Sequence, residues 1–256
     1  MTEKKLKILN SNEIARGTNV FHLSKPEGFE YEPGQTIDLT LLDPKEMDAE
    51  GPVRTFSLVS APHEPELMFA TRMRDTSFKR ALKNAQPGME LAWDGPYGSF
   101  IMHRNAAKPA VFLAGGIGIT PFMSMVKHAD HQKLPHQIYL FHSNHTPEDS
   151  PFLSDLTEFE KQNPQFHYIP TMTDLDSEAN SPSYEAKRNR RGLGGGSWSG
   201  ERGFVDKPMI ERHVSDLSTP IYYMAGPAGF VTAMRKMLVE AKVDEDSIRF
   251  EEFPGY

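Results

Sequence analysis

Through the first hundred positions apolar and polar residues alternate in short runs: "KLKIL" (5–9), "NVFHL" (19–23), "QTIDLTLL" (35–42), "RTFSLVS" (54–60), "ELMFATRM" (66–73) and "MELAW" (89–93). A period of two predicts half-buried strands, and their regular spacing predicts an antiparallel barrel. The segments between them, such as "KPEGFEYEPGQ" and "LDPKEMDAEGP", are rich in turn formers. One helix is predicted in this part, over "TSFKRALKNA", where Phe78, Ala81 and Leu82 share a face.

After "HRNAAKP" (103–109) the pattern changes to strand and helix in alternation. "AVFLA", "HQIYLFH", "FHYIPTM" and "PIYYMAG" read as buried strands. "PFMSMVKHA", "PFLSDLTEFEKQ" and "AGFVTAMRKMLVEA" read as helices, the second with Phe152, Leu156 and Phe159 at helical spacing. Such alternation predicts a mainly parallel sheet covered by helices. The expected organisation is therefore β + α/β, an N-terminal antiparallel barrel over 1–104 and a parallel-sheet α/β domain over 105–256. Residues 173 to 203 combine polar residues, glycines and the basic group Lys187, Arg188, Arg190 and Arg191. A loop of that length is expected to be functional or mobile.

Composition narrows the chemistry. The 256 residues carry 28 Lys and Arg against 35 Asp and Glu, a net charge of −7, which speaks against nucleic acid as the main partner. The absence of cysteine excludes disulfides, thiolate zinc sites and Cys-ligated iron–sulfur clusters within these residues. The ten histidines form no H-E-x-x-H pattern, so no metal site is expected. The N-terminal "MTEKKLKILN" lacks an apolar stretch behind its lysines, and a cytoplasmic location is expected. An uncharged window from Pro109 to Val126 approaches the length of a membrane span, but three glycines and a Thr-Pro interrupt it. A buried strand, a tight loop and a helix are expected there, and no membrane span.

That window contains "LAGGIGITPFMSM" (113–125), in which Gly115, Gly116 and Gly118 follow a strand. Thr120-Pro121 is expected to start the next helix, the threonine as cap. Free N–H groups at a helix start, with no side chains in the way, suit a pyrophosphate, although the spacing is not G-x-G-x-x-G and glycines also serve simply to turn a chain. Glu148 and Asp149 before Ser150-Pro151 are expected to favour the positive end of a helix.

Upstream, alternation in "RTFSLVSAP" puts Arg54 and Phe56 on one face and Ser57 on the other. Taken with the "PGQ" turn, "GGIGITPF" and "YYMAGPAGFVTAM", in that order, the chain resembles the ferredoxin reductase-like flavoprotein family over nearly its full length. The resemblance implies a barrel that binds FAD and an α/β domain that binds NAD(P)H. It implies that Arg54-Thr55-Phe56-Ser57 is the flavin signature: Arg54 on the phosphate, Phe56 against the flavin or ribityl, Ser57 near the hydride-accepting nitrogen. Arg72 is implied as a further cofactor-binding residue, and Thr76, Ser77 and Phe78 stand where the family holds the FAD pyrophosphate, without its customary glycine. Gly115, Gly116, Ile117, Gly118 and Thr120 match the nicotinamide-nucleotide phosphate loop. Gly226, Pro227 and Phe230 match the segment beside the nicotinamide, where Ala225 replaces a common cysteine. Tyr256 and Phe253 of "FEEFPGY" are candidates to cover the flavin, with Glu251 or Glu252 nearby.

Ser143, Asn144 and His145 fall where the family meets the adenosine ribose. No arginine stands in that segment, and the basic group at 187 to 191 leaves NADH and NADPH both open. The implied activity is hydride transfer from NAD(P)H to FAD and onward to a carrier protein or small acceptor. The alternatives are the reductase component of an oxygenase system with a separate iron–sulfur carrier, and a catalytically quiet flavin-binding sensor.

Overall fold

A computed structural model describes residues 4–175 and 198–253. The basic group 187–191 and Tyr256, both singled out above, lie outside the described residues.

The alternating runs form one six-stranded antiparallel sheet from β1 (Lys5–Ala15), β2 (Thr18–Ser24), β3 (Thr36–Leu41), β4 (Val53–Ser57), β5 (Glu66–Arg72) and β6 (Glu90–Tyr97), in the order β4-β3-β6-β1-β2-β5. Val59 N donates to Met68 O at 2.7 Å, linking the chain just past β4 to β5 and so bringing the two ends of that order together. The inward face is apolar: Leu6, Phe21, Leu23, Ile37, Leu39, Leu58, Leu67, Phe69 and Leu91 are all essentially inaccessible. The predicted helix appears as α1 (Ser77–Lys83), with Phe78 and Leu82 closing that core and Ala81 only partly buried.

The second half forms a six-stranded parallel sheet of β7 (Ala110–Gly115), β8 (Ile138–Asn144), β9 (Phe166–Met172), β10 (Glu201–Arg202), β11 (Ile221–Gly226) and β12 (Ile248–Glu252), ordered β10-β9-β8-β7-β11-β12. Its helices are α2 (Thr120–His131), α3 (Leu153–Gln162), α4 (Lys207–His213) and α5 (Ala228–Glu240). Strands β7 and β11 are buried at every position, as strands with helices on both faces must be. The short α4 and β10 carry no periodic signal long enough to predict. In α4 the cap Asp206 accepts from Met209 N at 2.8 Å and decides the start. Among the described residues no helix is long and apolar enough to cross a membrane.

β6 ends at Tyr97 and β7 begins at Ala110, yet the halves share a core: Val20, Val59 and Ala70 of the first half pack with Phe100 of the connecting segment and with Phe122 and Met125 of α2. Polar contacts fix the angle between them. Ser124 Oγ on α2 donates to Ser60 O at 2.6 Å, and Lys127 pairs with Glu64 at 3.0 Å. Asp149 does not serve a helix start as expected. It binds Arg16 of the antiparallel sheet at 3.0 Å and accepts from Thr146, because α3 begins only at Leu153, after Phe152 in the left-handed region (φ 60°).

Gly118 is the tightest point, since a Cβ there would lie 2.1 Å from Ala225 O. Gly116 differs, with positive φ (54°) and open space around it. Gly118→Ala is therefore expected to destabilise the protein by about 3 kcal/mol, through overpacking against backbone. Gly116→Ala is expected to lose only about 1 kcal/mol, from its backbone conformation. Denaturant melts of the two variants check the order.

Candidate functional site

The parallel sheet reverses its winding between β7 and β11, the place where open α/β sheets leave a crevice beyond the strand ends. β7 ends at Gly115 and runs into a single 3-10 turn, Gly116–Ile119, before α2. Thr120 is therefore not the cap. Ile119 holds that position in helical conformation, and the Thr120 hydroxyl donates to Ile117 O at 3.2 Å from a site that is almost fully buried. A turn that is already helical needs no side-chain cap, so the threonine braces the loop from behind.

The loop is also held from below. His142 on β8 is wholly buried, with Nε2 2.9 Å from Gly116 O and Nδ1 3.0 Å from the Tyr168 hydroxyl. Burial pushes its pKa down to about 4, so the ring is neutral. A neutral imidazole donating from Nε2 to the carbonyl and accepting from the tyrosine satisfies all three groups.

In front of this turn lies a cavity of about 660 Å³ lined by both halves. Thr18, Arg72 and Arg74 come from the antiparallel side; Gly115, Gly116 and Ile117, then Ser143 and Asn144, and Pro227 and Phe230 come from the ends of β7, β8 and β11. Six of the expected nucleotide-loop and ribose residues, His145 among them, thus meet at one surface, and Arg72 lines the same cavity. Asn144 is 6 % exposed and its Nδ2 has no hydrogen-bond partner. An unpaired buried amide at the rim of a cavity is a donor held ready for something polar. Phe204 of the same lining is 79 % exposed; it falls in a segment whose strand is too short to show in the sequence.

A second group of predicted residues assembles on the antiparallel sheet. Arg54 and Phe56 both contact the Phe78 ring, the guanidinium carbon 5.5 Å and the Phe56 ring 5.8 Å from its centroid, as alternation requires. Phe56 is 8 % exposed and packs 4.4 Å from Phe69, so most of its surface belongs to the barrel core. Thr55 faces outward and donates to Asp38. Thr76 caps α1, accepting from Lys79 N, while Ser77 N and Oγ donate to Asp48 at 3.0 and 2.8 Å. Lys79 is buried beside Arg74 and Arg54. Burial and, after it, those two cations push its pKa down to about 8.

Ser57 is 6 % exposed, and its Oγ donates to Glu251 Oε2 at 3.4 Å, a contact between the two sheets. In β12 the pleat turns Glu251 inward and Glu252 outward, which decides between the two carboxylates that the sequence leaves equivalent. Burial raises the Glu251 pKa to about 7, with the Ser57 hydrogen bond opposing it. Ala225 is fully buried, with its carbonyl against Gly118. It contributes packing and no reactive surface. Phe253 is partly buried against the shared core and donates its N–H to Gly226 O at 2.9 Å. Among the described residues no cluster of three or more His, Asp or Glu could hold a metal ion.

Comparison with known proteins agrees with this arrangement. Residues 112–192 match the profile of the oxidoreductase NAD-binding domain. The chain is 27 % identical over 239 residues to the glycine betaine monooxygenase reductase subunit of Chromohalobacter salexigens, covering 92 % of this chain and 60 % of that protein. It is 25 % identical over 233 residues to the propane 2-monooxygenase reductase component of Rhodococcus jostii, covering 90 % and 57 %. It thus spans about 60 % of the length of these curated relatives. Among solved structures, the flavohem-like FAD/NAD-binding domain of nitric oxide dioxygenase from Vibrio cholerae superimposes with a TM-score of 0.79 at 17 % identity, over 98 % of this chain and 99 % of that one. A ferredoxin NADP+ reductase from Neisseria gonorrhoeae with bound FAD and NADP gives 0.76 at 18 %, with the same coverage. Barrel, parallel sheet and glycine turn, with these likenesses, show that the chain has the ferredoxin reductase-like fold, its second half carrying an oxidoreductase NAD-binding domain.

Proposed function

We propose that the protein is an NAD(P)H-dependent, FAD-containing oxidoreductase that passes electrons to a carrier protein or small acceptor. The observation that carries this reading is the cavity between the two sheets, which joins the glycine turn at the switch point to Arg72 and Arg74 of the barrel side. Its residues fit a dinucleotide: Gly116 faces open space, and Asn144 offers an unpaired amide. The flavin donors fit as well. Arg54 and Arg74 gather positive charge around Lys79 of α1, the helix that begins at Ser77, whose N–H and hydroxyl donate to a carboxylate.

The cofactors, when bound, supply the hydride donor and acceptor; the chain aligns them and excludes water. Ser57 and Glu251 act beside the flavin as positioning residues. With its pKa near 7, Glu251 can hold or release a proton at the Ser57 hydroxyl around neutral pH. The barrel and α/β domains meet near residue 104 in this reading, and a cytoplasmic setting accords with the lack of cysteine.

The named relatives favour a more specific version, the reductase component of an oxygenase system. These 256 residues contain no cysteine, so an iron–sulfur centre receiving the electrons would be carried outside them.

Anaerobic mixing with NADH or NADPH is expected to bleach the flavin absorbance, and a spectrum unchanged by both would support the quiet sensor instead. Arg54→Ala is expected to weaken FAD retention at least tenfold, read by equilibrium dialysis. Glu251 gives a test by pH. A carboxyl whose folded-state pKa lies above its unfolded one stabilises the fold most at low pH, and that contribution is lost as pH rises through about 7. Relative to Glu251→Gln, the cofactor-free wild type should lose up to about 3 kcal/mol between pH 5 and 8. Parallel pH profiles of stability for the two proteins would exclude the raised pKa.

A further inference from the structure

The loop joining β3 to β4 folds its acidic residues onto the donors just described. The Asp48 carboxylate accepts from Ser77 N at 3.0 Å, Ser77 Oγ at 2.8 Å and Arg54 Nη2 at 3.0 Å. Glu50 takes a second Arg54 contact at 2.8 Å. The other terminal nitrogen of Arg54 donates to the carbonyls of Glu50, Gly51 and Val53, at 3.2, 2.9 and 2.7 Å. The guanidinium is thus closed on its own loop, 16 % exposed at the side chain. The grip is strong: the Ser77 hydroxyl, with help from Arg54, holds Asp48 down at about 2.

These donors are those on which the proposed flavin phosphate would rest. An amide hydrogen and a hydroxyl hydrogen each serve one strong acceptor at a time, and a carboxylate beside a phosphate is repelled. While Asp48 takes both, Ser77 has neither donor left for a phosphate. We propose that Asp48 is an internal competitor for the flavin phosphate site, so that loading the cofactor requires residues 43–52 to lift the carboxylate from Arg54 and Ser77. The inference rests on the flavin reading above. It makes Asp48 the residue that sets how tightly phosphate-bearing flavins are retained. Riboflavin, which has no phosphate, is indifferent to it.

Were Asp48 instead to order Arg54 and Ser77 for the flavin, removing its charge would weaken binding. The sign of one substitution separates the two. Asp48→Asn keeps the side chain's size and one acceptor oxygen but removes the charge. The full chain, freed of flavin, is titrated with FAD, FMN and riboflavin, and binding is followed by flavin fluorescence. The expected result for Asp48→Asn is FAD and FMN binding about tenfold tighter than wild type, with riboflavin unchanged. Asp48→Ala should shift in the same direction, and thermal melts establish that both variants are folded. Unchanged or weaker FAD binding in folded variants overturns the inference and leaves the flavin reading standing. An equal gain for riboflavin also overturns it, because the effect would then not act through phosphate. Failure of wild type and variants alike to bind any of the three flavins removes the flavin reading, and this inference with it.

Discussion

A single missing methyl organises the site. Because Gly118 has no side chain, the turn after β7 lies flat on the backbone of β11, where a Cβ would meet Ala225 O at 2.1 Å. The two central strands of the parallel sheet can then end side by side beneath the crevice. Everything the cavity uses on that side follows from this contact: the outward position of Gly116, the burial of Ala225, and the start of α2 directly behind the turn. His142 fixes the turn from the opposite side by a hydrogen bond to Gly116 O, and its burial keeps the ring neutral.

The same helix that leaves the turn also carries the contact with the antiparallel sheet. Ser124 reaches Ser60 and Lys127 reaches Glu64, while Phe122 and Met125 enter the shared core. The glycine turn and the antiparallel sheet are thus held at a fixed spacing by one rigid element. Glu251 bridges the sheets a second time at Ser57. Activity in this account depends on alignment across that seam more than on any reactive side chain, which is consistent with Ala225 standing where chemistry was expected.

Much of this was legible in the sequence, because period-two runs and buried apolar strands report directly on which faces are covered. Arg54 and Phe56 share a face as their spacing requires, and the residues expected for the nucleotide loop gather at one cavity. The failures have physical causes. Thr120 looked like a cap because a helix start was inferred from composition, but a preceding 3-10 turn satisfies those groups through backbone. Asp149 looked like a dipole partner because its ion pair with Arg16 joins residues 133 apart in the chain. Glu251 and Glu252 could not be separated until the pleat of β12 was fixed by pairing with β11. Asp48 left no mark at all, since nothing local in "PKEMDAEGP" says that its carboxylate closes on Ser77.

The central claim is that the nicotinamide and the flavin meet across the cavity shared by the two sheets, closely enough for direct hydride transfer. Single-turnover reduction of the flavin-loaded protein, by nucleotide deuterated in turn at each of the two C4 positions of the nicotinamide, tests it most directly. One labelled face should slow reduction severalfold and the other should not, because a fixed crevice presents one face only. Equal rates with both labels, or no reduction by either nucleotide, would contradict the account.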